Sequence, residues 1–171
     1  MLTERMFTEL NKQVQAEIYS AYLYLSMSSS MEAKNLKGVA NWFRVQWQEE
    51  LSHALKLFDF IHSRGGKVDL LPIQQPQIAW LTVFAAFQDT YNHEQIVTGL
   101  INKLMEVAIE EKDFATQNML KWFVDEQVEE EANASELLEK LKMIGDDKSA
   151  LLELDRELLA RAFNDETQQS K

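Results

Sequence analysis

A chain of 171 residues, 46% of them hydrophobic, can form one well-buried domain and is short for two. Its 5 Gly and 2 Pro are too few for an all-β or loop-rich fold, and a net charge of -11 disfavours nucleic acid and anionic membranes while favouring cations. The complete lack of Cys excludes disulfide frameworks, thiolate zinc sites, Fe–S clusters and Cys nucleophiles together.

The opening run Met1-Leu2-Thr3-Glu4-Arg5 has no basic stretch followed by an apolar one, and nowhere is there an apolar run of roughly 18 residues. A cytoplasmic protein with no membrane partner is expected. In chain order, the spacing of apolar residues and breakers predicts helices over 3–32, 35–63, 81–111, 114–143 and 147–163. Thr3 serves as the first N-cap, Gly65-Gly66 stops helix two, and Gly145 follows helix four. Asp146 or Asp147 caps helix five, and 164–171 reads as a frayed polar tail.

Helices one and two, and three and four, are joined by a few residues and so form antiparallel hairpins. Residues 64–80 join helices two and three. Extended, 17 residues reach up to about 56 Å, and a helix of about 30 residues is about 45 Å long. The connection can therefore run the length of a bundle and leave helices two and three parallel. The fold class is all-α: a four-helix bundle over 3–143 with one long crossover and a short fifth helix, the whole of 1–171 as a single domain.

Each long helix carries a stripe at helical spacing that should face the core. The stripes run Phe7, Leu10, Val14, Glu17, Ala21, Tyr24, Ser28, Met31 in helix one and Leu36, Val39, Phe43, Gln46, Glu50, His53, Leu57, Phe60 in helix two. Helix three gives Phe84, Phe87, Tyr91, Glu94, Thr98, Ile101, Met105, Ala108, and helix four gives Leu120, Phe123, Gln127, Glu130, Ala134, Leu137, Leu141, Ile144. A glutamate interrupts every stripe near its middle, so four carboxylates fall in one layer. A single Glu in an apolar stripe is usually a misplaced boundary; four at one depth are not.

Such a layer cannot stay ionised unaided, because burial costs several kcal/mol per ion and the like charges repel. One His at 53 does not neutralise four acids, and no stripe holds Lys or Arg. A polyvalent cation does. Carboxylates with an imidazole suit iron or manganese, and Glu50 and His53 form Glu-x-x-His, whose spacing places both on one helix face. His62 reads as solvated near the end of helix two, and His93 points about 100° off the seam. The aromatic and Met residues of the stripes read as core.

The runs Ala16-Glu17-Ile18-Tyr19-Ser20-Ala21-Tyr22-Leu23-Tyr24 and Gln46-Trp47-Gln48-Glu49-Glu50-Leu51-Ser52-His53 resemble prokaryotic non-haem ferritins, as do Tyr91-Asn92-His93-Glu94 and Trp122 through Glu131. The resemblance extends over the whole chain. It implies a first iron held by Glu17, Glu50 and His53, and a second held by Glu50, Glu94 and Glu130, with Glu50 bridging. It places Gln127 beside the pair, Tyr24 in hydrogen bonding or electron supply, and Trp122 as a nearby aromatic. Further, it implies a third iron near Glu49, Glu126, Glu129 and Glu130. The sequence adds that acids at 126, 129 and 130 share one helix face, usually a solvated one, here beside a metal seam.

By the same resemblance the activity is ferroxidase: Fe(II) is oxidised to Fe(III) by O2 or hydrogen peroxide. Ferric oxide-hydroxide is then stored inside a shell of 24 copies. No haem is expected, because Ser52 stands where bacterioferritins carry a haem-ligating Met. Helix five, with Leu151, Leu154, Leu158 and Ala162 on one stripe, is too short to be stable alone. It is expected to need another copy's surface. A small-molecule di-iron or di-manganese enzyme and a metal-stabilised bundle without catalysis remain alternatives.

Overall fold

The computed structural model describes residues 1–165 and 167. These form five helices: α1 (Glu4–Glu32), α2 (Lys37–Ser63), α3 (Val83–Glu110), α4 (Phe114–Ile144) and α5 (Lys148–Leu158). The described residues include no strand. The four long helices lie within two residues of the expected bounds, whereas α5 stops five residues short. The expected polar tail falls largely outside the described residues.

Local chemistry starts most of these helices. Thr3 Oγ1 accepts from the Met6 amide at 3.1 Å and Thr82 Oγ1 from Ala85 at 3.0 Å. Asp113 caps α4 through the Thr116 amide, and Asp147 caps α5 through Ser149 and Ala150. Between α1 and α2, Asn35 takes φ 60°, and after α4 Gly145 takes φ 55°. α2 differs, since Leu36 offers no side-chain cap. Its early Val39 amide donates instead to Asp155 of α5 at 2.9 Å.

α1 pairs with α2 and α3 with α4. The connection between the pairs is pinned along α1 in strict order. Asp69 N donates to Asn11 Oδ1, Gln15 Nε2 to the Pro72 carbonyl, Ser26 Oγ to the Gln77 carbonyl, and Trp80 N to Ser30 Oγ. It therefore climbs the whole bundle alongside α1, against the direction of α2, and α3 starts at the end where α2 starts. One long crossover is thereby established, with α2 and α3 parallel.

The apolar core is divided. One cluster gathers Tyr24, Met27, Met31, Phe43, Phe87, Leu137 and Leu141. The other gathers Met6, Leu10, Leu57, Ile61, Ile101, Leu120 and Phe123. Between them lies the buried polar set Glu17, Gln46, Glu50, His53, Glu94, Gln127 and Glu130. Most stripe residues are buried as expected. Phe84 is an exception: it is 38% exposed at the start of α3 beside Leu81, where the bundle end opens.

α5 is also placed otherwise than expected. Its apolar stripe packs on its own chain, with Leu154 and Leu158 buried in the cluster that holds Val39, Ala40 and Trp42. The groove for it exists because Gly38 has no side chain: a Cβ there would lie 1.5 Å from the Asp155 carbonyl oxygen. Ala162 lies beyond the helix and is exposed.

Candidate metal centre

Four helices each deliver one carboxylate to the polar layer, because Glu17, Glu50, Glu94 and Glu130 sit mid-helix on inward faces. Glu17, Glu50 and His53 each offer a ligand atom, all within 4.8 Å of one another, and so do His53, Glu126 and Glu130. His53 belongs to both groups, with Nδ1 3.5 Å from Glu50 Oε2. Its ring meets Trp122 edge-on at 5.3 Å, which holds the imidazole plane between α2 and α4.

Glu94 lies outside both groups. Its carboxylate accepts from the Tyr24 hydroxyl and from Gln127 Nε2 at 3.2 Å. It nevertheless acts on the rest of the layer, since its charge raises the pKa of Glu17, Glu50 and Glu130. Burial is the first cause in each case, and pushes Glu17 up to about 7. Burial, then Glu94, Glu17 and Glu130, hold the Glu50 carboxyl well above the carboxylate range. Burial likewise raises Glu94 against the pull of Tyr24 and Gln127. Tyr24 is driven well above the usual phenol range, first by burial and then by Glu94.

The remaining acids divide. Glu126 is buried and turned toward His53 and Glu130, further inside than its position beside the seam suggests. Glu129 is exposed. Glu49 is half-buried and ion-paired with Arg161 at 2.7 Å. His62 is exposed, its ring tilted against Phe58 at 4.6 Å. His93 stays outside both ligand groups, accepting or donating at Ser20 Oγ across 2.8 Å, and burial lowers it to about 4. Sequence reasoning missed Gln13, which donates to Glu17 Oε1 at 2.9 Å. Its position one turn before Glu17, on the same side of α1, was the available signal.

Whether iron fits can be judged from the oxygens. With both acids ionised, Glu17 Oε2 and Glu50 Oε2 receive no protein hydrogen bond although both are buried. An unsatisfied buried carboxylate oxygen is costly, and hard oxygens beside an imidazole match a hard or borderline divalent cation. The donor set therefore fits iron.

Comparison with known proteins identifies the family. Residues 7–144 match the model of the ferritin-like domain of the ferritin family. The chain is 36% identical over 166 residues to the bacterial non-heme ferritin of Staphylococcus aureus, covering 97% of this chain and 100% of that one. It is 40% identical to the bacterial non-heme ferritin of Bacteroides fragilis, covering 85% and 92%. Among solved structures, the open pore ferritin of the hyperthermophilic archaeon Archaeoglobus fulgidus superposes with a TM-score of 0.94 at 55% identity, covering 95% and 100%. A humanized archaeal ferritin gives 0.95 at 55% identity, covering 96% and 99%. The fold, the layer of acids and these similarities lead to one conclusion: the chain belongs to the ferritin family.

Proposed function

We propose that this chain stores iron and is a ferroxidase, acting as one domain over 1–171 in the cytoplasm. Two Fe(II) ions enter the polar layer per chain. Glu17, Glu50 and His53 hold one; Glu130, with Glu50 and Glu94 or with Glu126, holds the other. Each Fe(II) gives up one electron, so a pair delivers two together to O2 or hydrogen peroxide. Carboxylates favour Fe(III) over Fe(II) because their charge interacts more strongly with the higher charge, which drives the oxidation.

The protein's own groups prepare this step. Protons held on the layer leave when the cation arrives, since ligation requires the ionised carboxylate. Gln13 and Gln127 keep Glu17 and Glu94 oriented by hydrogen bonds. Tyr24, bonded to Glu94 and buried, is placed to supply a proton or an electron at the Glu94 side. The layer lies between two apolar clusters, which limit water around the reacting ions.

The product collects as ferric oxide-hydroxide inside a homo-oligomeric shell of 24 chains, with a third iron position near Glu49, Glu126, Glu129 and Glu130 serving transfer. The chain takes no haem at a Met-ligated site, because Ser52 supplies no thioether and its hydroxyl donates to the Glu49 carbonyl. No nucleic acid partner is assigned, and no helix among the described residues is long and apolar enough to cross a membrane.

The observation that carries this reading is the buried Glu17 and Glu50 carboxyls, which face each other beside His53 and, once ionised, have no protein donor for their Oε2 atoms. Its test is anaerobic loading with Fe(II), exposure to O2, then size-exclusion and electron microscopy. The reading predicts O2 uptake and an electron-dense core inside a hollow particle. O2 uptake without mineral would point to a small-molecule enzyme; tight binding without O2 uptake would point to a structural metal site.

A further inference from the structure

The segment after α5 reaches the metal centre from outside the four-helix bundle. Asn41 Nδ2 donates to the Leu158 and Arg161 carbonyls at 3.2 and 2.9 Å, which ties the end of α5 to α2. The Arg161 guanidinium then lies on the Trp42 ring, 4.6 Å from its centroid. From there Nη2 donates to Gln46 Oε1 at 2.5 Å and to Glu49 Oε2 at 2.7 Å. Gln46 is fully buried, and its Nε2 donates in turn to Glu130 Oε2 at 2.9 Å.

This arrangement has a consequence for the orientation of an amide. A guanidinium has donors only, so it holds the Gln46 oxygen outward and leaves the Gln46 NH2 facing Glu130. An Arg161 contact thereby determines which group the Glu130 carboxylate meets. Glu130 is one of the acids grouped with His53 and Glu126. Burial, then Glu94, then Glu49 push the Glu130 carboxyl up, and Arg161 pulls it back. The cation is thus felt at Glu130 as well as at Glu49.

We propose that Arg161 is a positioning residue of the metal centre, holding Glu49 directly and Glu130 through Gln46, so that a cation arriving on the Glu130 side competes with it. The proposal rests on the reading of the polar layer as a cation site. Metal entry takes Glu130 from Gln46 and weakens the hold on Glu49; metal departure lets Arg161 recapture both. By linkage, an ion that loosens Arg161 is itself bound less tightly because Arg161 is present. The C-terminal segment thereby sets the affinity of one side of the centre and spares the other, since Glu17 takes its hydrogen bond from Gln13.

The test is anaerobic titration of the full chain with Zn(II) by calorimetry and with Co(II) by absorbance. Glu17→Gln and Glu130→Gln assign the two binding classes. Arg161→Gln should tighten the Glu130-dependent class by about three- to tenfold, the range of a partly exposed charged hydrogen bond. The Glu17-dependent class should stay within about twofold. Arg161→Lys, which keeps a positive charge but loses the fork to Gln46 and Glu49, should fall between wild type and Arg161→Gln. In a Gln46→Leu background the effect of Arg161→Gln on the Glu130-dependent class should shrink, because Gln46 carries it. Superimposable isotherms for Arg161→Gln and wild type would overturn the proposal, as would equal shifts in both classes or an undiminished effect without Gln46. If neither Glu17→Gln nor Glu130→Gln weakens binding, it is the reading of the layer that has failed.

Discussion

In the cluster around Phe43, ring meets ring, with Phe87 at 5.0 Å and Trp42 at 5.2 Å, among buried apolar side chains. One turn further along α2 the same inward face carries Gln46, then Glu50 and His53, among four carboxylates equally hidden from water. The first region stabilises the fold by excluding water. The second is tolerated because the first surrounds it, and its acids hold raised pKa values as a result. Stability and chemistry are therefore separated by a single helical turn, and substitutions on either side should behave in opposite ways.

The largest expected effect lies in the layer and concerns rate. Glu50→Ala or His53→Ala should lower the first fast oxidation of Fe(II) by about a hundredfold or more, because His53 belongs to both ligand groups and Glu50 completes the one with Glu17, so either change leaves no intact pair of sites. Stopped-flow absorbance with successive Fe(II) additions measures this. In the clusters the large effect concerns stability: Phe43→Ala should cost about 3–5 kcal/mol and Leu57→Ala about 2–5 kcal/mol. Guanidinium unfolding of the metal-free chain checks both. If Glu50→Ala destabilised the metal-free chain as much as Phe43→Ala, the contrast between the regions would collapse.

The pH dependence sharpens the comparison. Glu17 has a folded pKa of about 7 against an ordinary 4.5, so between these values the folded state holds more protons. Its contribution is favourable below 4.5 and is lost as pH rises toward 7, on the order of 3 kcal/mol. Glu50, Glu94 and Glu130 act in the same direction. His93, lowered to about 4 from 6.5, acts oppositely and loses stability as pH falls through that window. Four acids outweigh one imidazole, so the melting temperature of the metal-free chain should fall between pH 5 and 7, and Zn(II) should restore it. Calorimetry at stepped pH decides this; a metal-free melting temperature that rises across the window would contradict it.

Smaller effects follow from the edge of the layer. Tyr24→Phe removes one donor to Glu94 while leaving Gln127, and should slow the first turnover by about tenfold or less. Glu126→Ala should weaken the His53 and Glu130 side more than the Glu17 side, as its inward placement requires. Glu129→Ala, at an exposed position, should change stability by less than about 0.5 kcal/mol and leave the first turnover unaltered.

The contrast between the regions was legible from spacing alone, because a glutamate at mid-stripe stands out only against apolar neighbours at three- and four-residue intervals. The four long helices were legible for the same reason, and the crossover from its length. What spacing did not give was anything decided between helices. The Leu154 and Leu158 stripe of α5 was visible, but the surface it covers was not, since the groove depends on Gly38 meeting Asp155 over a separation of more than 100 residues. Arg161 escaped notice for that reason, and no local pattern connects it to Gln46. Phe84 fits a stripe by count yet lies where the bundle end opens, so periodicity overran the core. Glu126 lies off the seam by count, and its long side chain turned inward all the same.

With pKa values raised by burial, the acids of the layer hold protons until a cation replaces them. Anaerobic addition of Fe(II) to the metal-free chain near pH 6.5, with released protons counted by titration at constant pH, tests it most directly. Protons should be released on binding, more at pH 6 than at pH 7.5, with little release from Glu50→Gln, which binds poorly. Tight binding of Fe(II) by the wild-type chain with no proton release would show that the acids are ionised without metal, and would contradict the account.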